Sequence, residues 1–354
     1  MSKVVVFSQP KTVRLDEVED APLSPRQVRV RTMYSGISAG TELTAYRGSN
    51  PYLHKHWDAQ NRLFVPADVP SQPYPLSGWG YEEVGEVIEI GAEVTRLSVG
   101  QVVYGTWGHR THAVLEEDFL SKRIKPEGLD PILAIYSHIG PIAINAILDA
   151  NIHIGEHVAV FGMGVLGQAV SQLAKRSGAT VYGVDLIDRR LALACELGGV
   201  DVAIHPGNGS PAEQIKRLTG GRGADVCVEI TGSAGALNEA IRTAAYNGRV
   251  VVSGFIQGGA NQLYLGEEFH HNRVQLISSQ ISNVDPALSQ RWDRLRMIHT
   301  FMDLQVKQAI HMRPVITHVI PFAQAAEAYR LLDETPDQVL QVVLDFSGEE
   351  GAQA

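Results

Sequence analysis

The stretch "HVAVFGMGVLGQAV", His157 to Val170, constrains what this chain can fold into more than any other segment. A short apolar run ends at Gly162, a helical pattern opens directly after it, and Gly162, Gly164 and Gly167 fall in the spacing G-x-G-x-x-G. Each glycine has a mechanical task at such a joint. The first permits a tight turn, the second lets the backbone approach a pyrophosphate, and the third lets the helix pack close on the strand. The free N–H groups at the helix start, around Val165 and Leu166, would carry that anion. Alone, the glycines suit any strand–turn–helix joint, so the surroundings have to decide.

From about Asp130 onward, apolar runs alternate with helical patterns, which signals a parallel sheet built from βαβ units. The candidate strands are His157–Phe161, Thr180–Asp185, Val200–Ile204, Ala224–Ile230, Arg249–Gly254 and Val274–Gln280. Six strands are what a two-half dinucleotide fold needs. The helical segments "LGQAVSQLAKRSG" and "RRLALACELGG" each close on glycine, where a left-handed C-cap belongs. The expected fold class is therefore α/β, a Rossmann doubly wound parallel sheet over 130–310 with helices on both faces. Its second strand ends at Asp185, eighteen residues past Gly167, where a carboxylate accepts from the adenosine ribose hydroxyls. That charge would repel a 2′-phosphate, so NAD is the expected cofactor. Arg189 and Arg190, a turn later, keep NADP open as the alternative, because they could clamp that phosphate.

The segment 1–129 reads differently, as short strands punctuated by Gly and Pro: "VVVF", "VRVRTMY", "EEVGEVIEIG" and "VGQVVYGT". Such spacing predicts a compact β-rich unit. After the sixth Rossmann strand, "LSQRWDRLRMIHTFMDLQVKQAI" has helical spacing. The tail 311–354 then reads as a strand, a helix starting near Pro321, and a last apolar strand that rejoins the N-terminal unit. A chain of 354 residues with 44% hydrophobic content suits two packed domains. Its net charge of −9 without any basic block argues against nucleic acid or a charged membrane surface as partner, leaving a small-molecule substrate. No apolar stretch reaches the length of a membrane span, and the N-terminal apolar run is too short for a signal, so a cytoplasmic protein is expected. Cys195 and Cys227 make neither a disulfide framework nor a metal cluster, and both are expected in the core.

The motifs "GISAGTEL", "GYEEVGEVIEIGAEVTRLSVGQVVYG", "HIGEHVAVFGMGVLGQAVSQLAKRSGATVYGVD" and "ITHVIPFAQAAEAYRLL" resemble the medium-chain dehydrogenase/reductase superfamily over nearly the whole chain. The resemblance implies a GroES-like substrate domain made from both chain ends, a Rossmann domain between them, and hydride transfer in the cleft. In that family a catalytic zinc takes a Cys from the first motif, a His from "GHE", and a Cys or Glu further on. Here the first position reads Ser38 or Ala39, "GHE" reads Gly80-Tyr81-Glu82, and the third falls near His138. Only Glu82 and His138 could still bind zinc, unless His54 or His56 reached in, and the Cys-rich lobe for a structural zinc is absent. No zinc is expected.

Thr41 stands where the zinc enzymes keep a hydroxyl that relays a proton. Tyr81 and His138 occupy former ligand positions, so either could exchange a proton with the substrate oxygen, and Glu82 could orient one of them. The two rings would equally well fill vacated volume. Glu42 looks like the family's acidic partner that organises the loop. A segment longer than the family's usual link carries His54, His56 and Trp57 among other aromatic residues. Such a loop suits a ring-bearing, hydroxylated substrate, and an aromatic interface would look the same.

The resemblance is nearest to the branch containing a bacteriochlorophyllide a dehydrogenase, largely through "SGISAGTE". The expected activity is zinc-independent hydride transfer between NAD(H) and a secondary alcohol or ketone, with a polyol, sugar, cyclitol or hydroxyethyl-tetrapyrrole as substrate. An NADPH-dependent quinone or enone reductase and a non-catalytic nucleotide-binding protein remain the alternatives. The apolar last strand "VQLISSQIS" would leave an unpaired sheet edge, which points to a homodimer.

Overall fold

The β-branched runs between His157 and Ser278 form a six-stranded, wholly parallel sheet in the computed structural model, which describes residues 1–66 and 68–349. The spatial order is Val202–Ile204, Thr180–Val184, His157–Phe161, Ala224–Glu229, Ala244–Val252, Gln275–Ser278. This is the doubly wound order 3-2-1-4-5-6, whose direction reverses between His157–Phe161 and Ala224–Glu229. Both strands are almost fully buried, as a sheet covered on two faces requires. The helices Val165–Arg176 and Asp188–Glu196 end as expected, followed by Gly178 at φ +89° and Gly198 at φ +68°. No single helix among the described residues is long and apolar enough to cross a membrane.

The chain divides into two compact units, Ile139–Val315 and Met1–His138 with Ile316–Ala354. The first break lies beyond the expected 129/130 for a local reason. Pro131–Ser137 form a 3-10 helix, opened by the Asp130 carboxylate accepting from Ile132 N–H at 3.2 Å, and it packs against strands Glu83–Ile90 and Val102–Gly105 of the β-rich unit. The second lies past 310 because the chain up to Val315 stays with the Rossmann unit. The expected long helix from Leu288 begins only at Arg294, where the Asp293 side chain accepts from Arg296 N–H at 2.7 Å and caps it.

The central sheet of the β-rich unit runs Ile316–Pro321, Gln341–Asp345, Gln27–Ile37, Glu83–Ile90, Val102–Gly105, with His112–Glu116 also on Gln27–Ile37. The C-terminal strand returns antiparallel to Gln27–Ile37, pairing Val342 with Ile37 and Asp345 with Tyr34. Thr12–Val18, His112–Glu116 and the hairpin His56–Asp58/Leu63–Val65 are strands the sequence pattern did not reveal, because they are polar or too short to alternate clearly. One cysteine also departs from expectation. Cys227 is buried in its strand, but Cys195 is exposed, because on its helix Leu191 and Ala194 take the inward face.

Candidate active site

In the Rossmann unit the glycine turn is built as its spacing demands. Gly162 has φ +100°, and a side chain on it would come within 2.9 Å of Thr231 Cγ2. Gly164 is the N-cap of helix Val165–Arg176 without any side-chain cap, so Val165 and Leu166 lead a helix whose first N–H groups lack partners within the helix. A Cβ on Gly167 would lie 1.8 Å from the Gly162 carbonyl oxygen, so this helix rests directly on the turn. Asp185 closes the arrangement. Its Oδ2 accepts the N–H of Met163, inside the glycine turn, at 2.6 Å, and its Oδ1 accepts the N–H of Ile187 at 2.8 Å.

Around Asp185, Arg189 is exposed and Arg190 half-buried in the first turn of their helix. The sequence pattern did not reveal His205, whose Nε2–H donates to the Leu186 carbonyl at 2.9 Å while Nδ1 accepts Gly207 N–H. It holds out Leu186, 73% exposed, as an apolar platform beside the carboxylate. A dinucleotide fits these residues: helix N–H groups for pyrophosphate, the remaining lone pairs of Asp185 for ribose, and an apolar face for adenine.

In the β-rich unit a second cluster forms where strand Gln27–Ile37 passes into helix Ala39–Arg47. Ser38 sits at the N-cap, but its hydroxyl is bonded to Tyr81 and makes no cap. The Tyr81 hydroxyl also lies 3.0 Å from Thr41 Oγ1. Having one proton, it donates to one of these hydroxyls and accepts from the other. The His138 ring stacks on the Tyr81 ring with centroids 4.0 Å apart at 30°. Burial pushes the phenol pKa upward, the nearby Glu82 adds to this, and the bonds to Ser38 and Thr41 oppose it. The phenol is therefore neutral near pH 7, and suited to giving a proton or relaying one through its two hydroxyl partners.

Thr41, Tyr81 and His138 thus come together, and Glu82 does not join them. Its side chain turns inward beneath Gly36, where a Cβ would meet Glu82 Oε2 at 2.3 Å, and neither carboxylate oxygen has a hydrogen-bond partner. The expected orienting role for Glu82 is therefore corrected. Burial, with Glu42 and Glu83 nearby, raises its pKa well above the carboxylate range, so it sits there as a neutral acid. Glu42 takes the organising role instead: Oε1 accepts Ser38 N–H at 2.8 Å, and Oε2 accepts from His109 and Tyr329.

The His54, His56 and Trp57 loop bonds to itself. His54 Nε2 donates to the Gly48 carbonyl, His56 and the Trp57 N–H reach Ser71, and Trp57 packs on Phe64 at 4.9 Å. None of these three side chains bonds to the Tyr81 cluster. The family's zinc does not fit the donors present. Ser38, Ala39 and Tyr81 offer no thiolate, imidazole or carboxylate and Glu82 is turned away, which leaves the His138 imidazole as one donor where zinc takes three or four. Among the described residues no group of three or more His, Cys, Asp and Glu side chains could hold a metal ion.

A unit with a doubly wound sheet and a glycine turn braced by an acidic residue, and a separate β-rich unit carrying a tyrosine–histidine pair, together define a dinucleotide-dependent oxidoreductase architecture. Comparison with known proteins agrees. A zinc-binding dehydrogenase family model matches residues 165–296. D-guloside 3-dehydrogenase of Escherichia coli (strain K12) is 30% identical over 351 residues, covering 97% of this chain and 100% of that protein. The chain belongs to the medium-chain dehydrogenase/reductase superfamily and is an oxidoreductase. Among solved structures, a zinc-binding dehydrogenase candidate from Sinorhizobium meliloti 1021 bound to NADP superposes at TM-score 0.78 with 19% identity, covering 98% of this chain and 99% of that one. A dehydrogenase from E. coli CFT073 complexed with NADH superposes at TM-score 0.76 with 21% identity and the same coverage.

Proposed function

We propose that this chain is a zinc-independent, NAD-dependent dehydrogenase that interconverts a secondary alcohol and its ketone on a sugar, polyol or cyclitol. The observation that carries this reading is the Tyr81 hydroxyl, held between Ser38 and Thr41 and stacked on His138, at the positions where the family places metal ligands. The nicotinamide supplies the hydride acceptor and donor. Gly162, Gly164, Val165, Leu166 and Gly167 would hold its pyrophosphate, and Asp185 the adenosine ribose. In ketone reduction the neutral Tyr81 phenol gives its proton to the carbonyl oxygen and is reprotonated through Thr41 or Ser38. In oxidation the same path runs backward, with the His138 imidazole as the basic group beside it. A hexoside hydroxyl is the favoured substrate, because the 30%-identical relative bears the name of a guloside dehydrogenase.

The test is a substrate panel followed by nicotinamide absorbance: methyl D-guloside, other methyl hexopyranosides, myo-inositol and simple secondary alcohols, with NAD and NADP and in both directions. Turnover of methyl D-guloside with NAD is expected. The purified enzyme is also expected to carry no stoichiometric zinc and to keep its turnover after prolonged chelation. Activity abolished by the chelator and restored by zinc would overturn the metal-free reading.

A homodimer belongs to the same proposal. Among the described residues Gln275–Ser278 pairs with one strand, and Leu276 on it is 39% exposed, so a second copy would cover an open edge. Light scattering at micromolar concentration should return twice the chain mass; a monomer mass would count against it.

A further inference from the structure

His109 lies wholly buried in the β-rich unit with both ring nitrogens bonded. Nε2–H donates to Glu42 Oε2 at 2.7 Å, and Nδ1 is 2.6 Å from Ser35 Oγ. Ser35 is 3.1 Å from Glu83 Oε1, and Glu83 Oε2 accepts the N–H of Trp107 at 2.7 Å. One labile proton therefore belongs to His109 and Glu83 jointly. With imidazolium and carboxylate, Nδ1–H donates to Ser35 and Ser35 to Glu83. With neutral imidazole and carboxylic acid, both bonds reverse. Burial opposes the imidazolium, but the Glu42 carboxylate, with Glu83 behind it, more than offsets this and raises the His109 pKa. Burial pushes Glu83 up to about 6, with His109 opposing.

The same ring supports the segment that carries Tyr81. A Cβ on Gly80 would come within 2.8 Å of both His109 Cε1 and Glu83 Oε1, and Gly80 has φ +108°, where a side chain is strained in any case. The His109 N–H donates to the Trp79 carbonyl at 2.9 Å. On the other side, the Glu42 carboxylate that holds His109 also holds Ser38 N–H, and Ser38 is the partner of the Tyr81 hydroxyl.

We propose that His109 is a positioning residue for the reaction: bonded to Glu42 and packed against Gly80, it fixes Ser38 and the Gly80–Tyr81 segment, and so the place of the Tyr81 hydroxyl. The inference rests on the reading of Tyr81 as the proton-handling group. The titratable groups facing His109 are Glu42 from helix Ala39–Arg47, Glu83 at the start of strand Glu83–Ile90, and Tyr329 from helix Ala325–Glu334, whose ring stands edge-on to the imidazole at 6.3 Å, and Glu82 lies near both carboxylates. Among these groups only His109 can carry a positive charge, so its loss would remove the one possible counter-charge to the buried carboxylates.

His109→Gln keeps an N–H for Glu42 and gives up the second nitrogen. With methyl D-guloside and NAD, kcat is expected to fall on the order of tenfold while KM for NAD stays unchanged. In the Tyr81→Phe background the same substitution should lower kcat no further, because a positioning residue acts only through the group it positions. A wild-type kcat in His109→Gln, or an equal fold-loss in both backgrounds, would overturn the proposal. An undiminished kcat in Tyr81→Phe would instead sink the reading of Tyr81, and this inference with it. If His109→Gln does not fold, Glu83→Gln serves as the second variant, with a smaller loss in the same direction that also vanishes in the Tyr81→Phe background. A substrate-free readout is the downfield proton resonance of the Nε2–H bonded to Glu42. It should be present in wild type and Tyr81→Phe and gone in His109→Gln; its absence from wild type would remove the pairing on which the proposal stands.

Discussion

Tyr81→Phe is expected to lower kcat on the order of a hundredfold in a protein that stays folded. The variant keeps the ring, its stack on His138 and its packing, and deletes only the hydroxyl held by Ser38 and Thr41. Alcohol oxidation must shed a proton as hydride leaves, and a neutral phenol that can pass a proton to two further hydroxyls offers the path. Substrate KM should change little, because the loss falls on the transition state, where charge develops on the oxygen. Stability should fall by only about 0.5–1.5 kcal/mol, the net worth of an ordinary hydrogen bond. Were Tyr81 and His138 mere fillers of vacated volume, the melting temperature would move and kcat would not. Paired kcat and thermal-melt measurements on the one variant therefore decide between the two roles.

Asp185 should govern the choice of nucleotide. Wild-type kcat/KM is expected to favour NAD, because the carboxylate meets a ribose hydroxyl in one case and a phosphate dianion in the other. Asp185→Ala should raise KM for NAD on the order of tenfold, about the worth of one charge-assisted hydrogen bond, and so narrow the gap to NADP. The alanine variant also releases Met163 N–H and Ile187 N–H, so part of its loss comes from a slackened glycine turn. Asp185→Asn separates the two effects: its amide oxygen can still take one of those N–H groups, while the charge is gone. Improved NADP turnover in both variants, with a smaller NAD penalty in the asparagine one, is the expected pattern. A clear wild-type preference for NADP would overturn it.

How much of this was legible beforehand depended on distance along the chain. The glycine turn, its helix and Asp185 lie within one βαβ segment, where spacing alone implies geometry: a Cβ at Gly167 collides with Gly162 whatever the rest of the chain does. Ser38, Thr41, Tyr81 and His138 are legible only one at a time, through motif positions that give no angles. Glu82 and Glu83 mark where that method stops. They are adjacent acids entering one strand, successive side chains there point to opposite faces, and only the register against Gln27–Ile37 decides which is bonded. Glu83 turned to Ser35 and Trp107, while Glu82 was left beneath Gly36 without a partner.

The sequence by itself determined the doubly wound class, the strand count of its sheet and the glycine turn, since each is written in local period or residue identity. Tertiary structure alone decided the company those residues keep. Glu42 meets His109 from 67 positions away and Tyr329 from 287, and nothing near any of the three announces the others. Burying a carboxylate is costly unless donors surround it, and only a closed fold brings such distant donors to one place.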